Sequence, residues 1–179
     1  MNRLTSVLAI LGAATTLYAT AQDAAFKAGP VFEQYGKHAQ VSGVEISPEQ
    51  TFKVAFDVEK GAKDGELNQS FNKLARFINM HVANGAKLEN IDLALVVHGT
   101  ATLDVMNNNS YKERTGESSA NVKLLEALQK NGVRVIVCGQ SSAKHNVTKE
   151  MLVEGVEMDL SAMTAHARLS QQGYSVNPF

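Results

Sequence analysis

Apolar and polar positions along this chain follow two rhythms, one with a period near two residues and one near 3.6, and they take turns. Phe52-Lys53-Val54-Ala55-Phe56-Asp57-Val58 is rich in β-branched and aromatic residues and predicts a strand. Lys60 to Gly65 is a turn cluster. Glu66 to Asn84 then places Leu67, Phe71, Leu74, Ala75, Ile78 and Val82 at helical spacing, closed by Gly85. Ile91 to Val97 is a nearly continuous apolar run, the mark of a strand covered on both faces. Helical spacing returns in Asn121 to Lys130, and Val133 to Val137 predicts a second buried strand. The rest of the chain predicts a short helix over Thr148 to Glu154 and a strand over Val156 to Leu160. A helix over Ala162 to Gln172 and a last short strand over Tyr174 to Val176 follow. Asn107-Asn108-Asn109 reads as a loop and Lys112-Glu113-Arg114 as a solvated face.

Strand then helix, repeated with short links, implies right-handed crossovers and a parallel sheet with helices on both faces. The expected fold is a three-layer α/β/α sandwich with a mainly parallel sheet of about five strands. Gln22 to Gln50, broken by Gly29-Pro30 and Pro48, is expected to be irregular or to form short edge strands. Within it Phe32, Tyr35 and Val41 are candidates to cover a neighbouring subunit.

The amino terminus has a different character. Arg3 is followed by an apolar stretch from Leu4 to Leu17, then by Ala19-Thr20-Ala21 ahead of Gln22. That is the three-part layout of a secretory signal peptide, so residues 1–21 are expected to be removed on export to the periplasm or beyond. Residues 51–179 then form the single folded domain, as expected for a chain of 179 residues. A net charge of −1 argues against nucleic-acid binding, which needs a basic stripe. No uncharged run after the amino terminus is long enough to span a membrane.

In open parallel sheets, ligands bind beyond the carboxyl ends of the strands, so those ends are where chemistry is sought. His98-Gly99-Thr100 follows one strand, Cys138-Gly139-Gln140-Ser141-Ser142 another, and Ser161-Ala162-Met163-Thr164 a third. Cys138 is the only cysteine, so no intrachain disulfide can form. It is an inert buried thiol, an intermolecular bridge or a reactive thiol. In a strand-to-helix turn, nearby backbone N–H groups favour thiolate. Gly139 permits close approach to the backbone, and Ser141 and Ser142 can cap or donate. His98 can act as acid, base or ligand, or be a satisfied strand-end histidine. His81 and Met80, with His98 and Cys138, would make a soft-ligand set, but no C-x-x-C or H-x-x-x-H spacing supports a metal. No dinucleotide or nucleoside triphosphate cradle and no G-x-S-x-G elbow is present, and no cofactor is expected.

Four runs, in this order and spacing, carry a resemblance: Leu74 to Gly85, Ala94 to Gly99, Val135 to Ser141, and Leu160 to Ala165 followed by Gly173-Tyr174. Together they resemble the exported branch of the DsrE/DsrF-like family over about Thr51 to Phe179. The resemblance implies a three-layer fold assembled into homotrimers or hexamers. It also implies sulfur handling through a cysteine persulfide, with a sulfur donor or acceptor as partner. Cys138 matches the family's cysteine, although the nearest basic residues after it are Lys144 and His145. The expected site is Cys138 with His98 tuning the thiol, and Gly99, Gly139, Gln140 and Ser141 around the ligand. Such a carrier or transferase need not have turnover of its own. The alternatives are an oligomeric module that binds a small ligand or metal, or a structural homotrimer whose cysteine is core.

Overall fold

A computed structural model describes residues 26–177. The expected leader lies outside these residues. Two short strands, β1 (Phe26–Lys27) and β2 (His38–Ala39), pair antiparallel ahead of the domain. The domain then runs β3 (Phe52–Val58), α1 (Gln69–Ala83), β4 (Ile91–Val97), α2 (Asn108–Thr115), α3 (Val122–Lys130) and β5 (Arg134–Cys138). It closes with α4 (Gly139–Lys144), β6 (Glu157–Asp159), α5 (Ala162–Gln171) and β7 (Ser175–Asn177). The main sheet has five strands in the order β6-β5-β4-β3-β7, every neighbouring pair parallel.

Alternation along the strands divides their side chains between two unequal cores. Phe56, Val58, Leu93, Leu95, Val97, Val135 and Val137 point to one face and meet Phe71, Leu74 and Ile78 of α1 and Leu124, Leu125 and Leu128 of α3. Each large aliphatic side chain buried there stabilises the fold by roughly 1.5–3 kcal/mol. Ala55, Ala94, Val96 and Ile136 point the other way and meet Ala165 and Leu169 of α5, with Tyr174 at the margin. The second core is smaller, and three of its seven buried residues are alanine. Asp57, His98 and Cys138 fall on this α5 side by the same alternation.

Buried amides set the loops. Asn68 caps α1 through Ser70 N–H, while its Nδ2 donates to Asp104 Oδ2 at 2.7 Å and its own N–H donates to Asn121 Oδ1 at 2.8 Å. Asp104 also accepts from Ala62 N–H at 2.9 Å, so the loops after β3 and β4 and the starts of α1 and α3 share one network. Burial pushes the Asp104 carboxyl above its ordinary range despite these donors.

Several local expectations change. Asn107 is a helix cap, its side chain accepting from Ser110 N–H, and Asn108 and Asn109 begin α2 rather than a loop. Asparagine serves both purposes because its side chain competes for backbone groups, and here it satisfies a helix start. Lys112, Glu113 and Arg114 form the exposed face of that helix. Thr148 to Glu154 holds only the 3-10 turn Lys149–Met151, because Leu152 leaves to bridge with Met106. Phe32 does not cover a neighbour, since it is buried in its own chain's core, and Tyr35 packs against the same cluster.

Asn79 makes the most hydrogen bonds to the amino-terminal segment, which Asn72 and Arg76 of the same helix also hold. Asn79 of α1 is fully buried, and its Oδ1 accepts from Val31 and Phe32 N–H at 3.1 and 2.9 Å. Its Nδ2 faces the carbonyls of Phe32, Tyr35 and Gly36 at 2.9, 3.0 and 3.1 Å. A β-carbon at Gly29 would overlap the Asn79 amide, which explains glycine there. Asn79→Ala should lower stability by at least about 2 kcal/mol, because each buried polar group left unpaired costs about 1–3 kcal/mol. Urea unfolding measures this, and an unchanged midpoint would show that the segment is not held by this residue.

Candidate functional site

Three strand ends and the first turn of α5 meet at the carboxyl edge of the sheet. Val97 of β4 is in register with Val137 of β5, and Cys138 with Asp159 of β6. His98 lies one residue beyond Val97 with its backbone still extended, so it stands beside Cys138 in the next strand on the α5 side. Gly139 begins α4 where a β-carbon would come within 2.8 Å of Asp159 O, so only glycine lets β6 approach this closely.

Cys138 is 5% exposed, and its Sγ accepts from Ser141 N–H at 3.4 Å. Ser141 Oγ in turn accepts from Gly99 N–H at 3.0 Å, tying the loop after β4 to the cysteine turn. Burial pushes the Cys138 thiol up. The Ser141 hydroxyl and the N–H groups of Ser141, Ala162 and Gln140 outweigh burial and leave the thiol below its ordinary range. The Gln140 amide reaches Leu160 O at 3.4 Å. Ser142 is buried, and its hydroxyl has no partner among the described residues.

A second feature of this edge is Asp57. Its Oδ2 lies 3.1 Å from His98 Nε2 and its Oδ1 lies 2.7 Å from Nε2 of His166 on α5. Burial pushes the Asp57 carboxyl up, but the two imidazole contacts outweigh it and hold the group below the usual carboxylate range. An ionised carboxylate only accepts, so both imidazoles present Nε2–H to it.

Of the residues picked from sequence, Cys138, Gly139, Gln140 and Ser141 share one turn, and His98 and Gly99 lie directly beside it. His81 does not join them. It sits on α1, stacks on Phe77 with ring centroids 3.9 Å apart and contacts Phe77 O through Nδ1 at 2.7 Å. Among the described residues no three His, Cys, Asp or Glu side chains are grouped as metal ligands, and no helix is long and apolar enough to cross a membrane. Sequence reading missed Asp57 and His166. Both carried a signal: an acid interrupting an apolar strand, and a histidine on the Ala162-Ala165-Leu169 stripe of α5.

The class defined by this geometry is a doubly covered parallel α/β domain with a thiol at the carboxyl edge of its sheet. A family model, the DsrE/DsrF-like family, matches residues 62–178, and the chain belongs to that family. No curated protein sequence matches it. Among solved structures, the chain is similar to the ychN protein from E. coli at 22% identity and a TM-score of 0.51, over 72% of this chain and 100% of that one. It is also similar to MTH1491, a protein of unknown function from Methanobacterium thermoautotrophicum, at 18% identity and a TM-score of 0.50, over 72% of this chain and 99% of that one. These two likenesses show the shared fold.

Native Cys138 should titrate with an apparent pKa below that of the urea-unfolded chain, read from the pH dependence of iodoacetamide alkylation. Equal values in the two states would mean that the N–H groups around Sγ do not favour thiolate.

Proposed function

We propose that this protein handles sulfane sulfur as a persulfide on Cys138. The observation that carries the reading is a buried Sγ at the carboxyl edge of the sheet that accepts from Ser141 N–H at 3.4 Å, in surroundings that hold the thiol below its ordinary range. Membership of the DsrE/DsrF-like family supports the same chemistry. The thiolate attacks the terminal sulfur of an inorganic polysulfide. A bond forms from Sγ to that sulfur as its bond to the next sulfur breaks, and a polysulfide one atom shorter leaves with the electron pair. The sulfane sulfur moves without any external oxidant or reductant. Gly99, Gly139, Gln140 and Ser141 border the ligand, and no independent turnover is required.

A structural cysteine within a ligand- or metal-binding module is the second reading, favoured by the 5% exposure of Cys138. Polysulfide treatment separates the two. The wild type should gain roughly 32 Da per sulfur atom as a persulfide, and Cys138→Ser should gain nothing. The serine variant should still fold, losing about 1–3 kcal/mol from a margin of about 5–15 kcal/mol. A wild type that takes up no sulfur, and whose thiol alkylates only after unfolding, would favour the second reading.

The protein is further proposed to be exported, with residues 22–50 as an amino-terminal extension of the domain, and to assemble as a homotrimer. Support for export is the Ala19-Thr20-Ala21 layout. Support for assembly is the exposure of Leu160 (68%) and Met163 (81%) beside the thiol, where a second copy would cover them. Amino-terminal sequencing should find Gln22 first, and light scattering should find three times the chain mass. Retained Met1 would overturn the first proposal, and a monomer at micromolar concentration the second.

A further inference from the structure

Asp57 is held by two imidazoles that come from different elements. Its oxygens contact Nε2 of His98, just beyond β4, at 3.1 Å and Nε2 of His166, on α5, at 2.7 Å. Because the carboxylate accepts, His98 spends its Nε2–H on Asp57, and Nδ1 is its remaining site for proton exchange. The strand order β5-β4-β3 places His98 between Cys138 and Asp57, and all three point to the α5 side. His166 lies in the first turns of α5, the helix that begins beside this edge and brings its ring to the carboxylate. The His166 Nδ1 is buried and has no partner among the described residues. A histidine needed only to fasten α5 to the sheet gains nothing from such an unpaired atom.

We propose that Asp57 and His166 are positioning residues that hold His98 as the proton carrier for Cys138, an inference that rests on the persulfide reading. His98 Nδ1 takes the thiol proton as thiolate forms, and Asp57 stabilises the resulting imidazolium through Nε2–H. The imidazolium returns that proton to the departing polysulfide, so the proton balance closes within the site. His166 occupies the second oxygen of Asp57 and prevents the carboxylate from turning away. The other charged groups facing this edge are Asp159 on β6, which pairs with Arg168 of α5 at 3.3 Å, and Glu59 beside Gly99. Neither lies between His98 and Cys138.

The test is the pH profile of Cys138 alkylation, read alongside polysulfide loading on the same variants. Asp57→Asn should raise the apparent pKa of the thiol by about one unit, slowing alkylation near neutral pH about tenfold. In a His98→Ala background the same substitution should have no further effect, because its route to the thiol is gone. His166→Ala should shift the profile in the same direction, and His166→Gln, which keeps an N–H donor, should return it toward wild type. That pair carries the test if Asp57→Asn does not fold. The inference is overturned if Asp57→Asn leaves the profile unmoved, if it shifts the profile equally without His98, or if His166→Ala and His166→Gln behave alike. Loading in the wild type with no shift in any variant removes the inference and keeps the persulfide reading. A shift in the variants with no loading in the wild type retains the relay as a thiol-tuning device and removes the persulfide.

Discussion

A parallel sheet covered on both faces confines polar side chains to the ends of its strands, and that confinement organises this protein. β4 illustrates it, with Leu93, Ala94, Leu95, Val96 and Val97 all buried between Asp92 near its start and His98 just past its end. Neither face could accept an unpaired histidine or acid without a desolvation penalty. At the carboxyl edge the chain can turn, backbone N–H groups become free to meet an anion, and His98 and Cys138 come side by side. At this edge Asp57 is an exception one residue inside the end of β3, and it takes two imidazole partners.

The two faces differ in a way that bears on the site. The α1 and α3 face is built from large side chains and is locked by the Asn68, Asp104 and Asn121 network, which also fixes the loops after β3 and β4. The α5 face rests on alanines, Val96, Ile136 and Leu169, and its edge is reinforced by polar contacts. Arg134 pairs with Glu157 at 2.9 Å and Tyr174 donates to Asp92 at 2.5 Å, while burial and Asp92 push the Tyr174 hydroxyl up to about 12. Ala55, Ala94 and Ala165 leave room for α5 to lie close against the sheet. Closeness is what the site needs, because Ala162 N–H and the His166 ring must both reach strand ends.

Long-period signals were legible in the sequence. β3, α1, β4 and β5 have runs of apolar residues whose spacing admits one reading, and the strand-end rule led from them to Cys138 and His98. Signals that depend on pairing were not. Asparagine at 107 to 109 has the composition of a loop, and only the Asn107 contact with Ser110 N–H shows it to be a cap. Leu152 left its expected helix for a bridge with Met106, a partner far away in sequence that local propensity does not register. Asp57 and His166 are 109 residues apart, and each alone is an ordinary polar interruption of an apolar pattern. Their meaning arises from the crossover that brings the His166 ring of α5 to the end of β3.

Burial and reactivity oppose each other at Cys138, and α5 decides the balance. A buried thiolate without partners is unfavourable, so burial alone would leave Cys138 a protonated core residue. The same exclusion of water strengthens any hydrogen bond made to the sulfur, because the local dielectric is low. The Ser141 and Gln140 donors come from the turn that carries the cysteine, so they are present wherever β5 ends. The Ala162 N–H comes from another element and is present only while α5 is seated. His166 reaches Asp57 under the same condition. On the persulfide reading, the chemistry of the thiol is coupled to the docking of one helix, and the exposed Leu160 and Met163 at that helix's start are where a second copy or a partner would press on it.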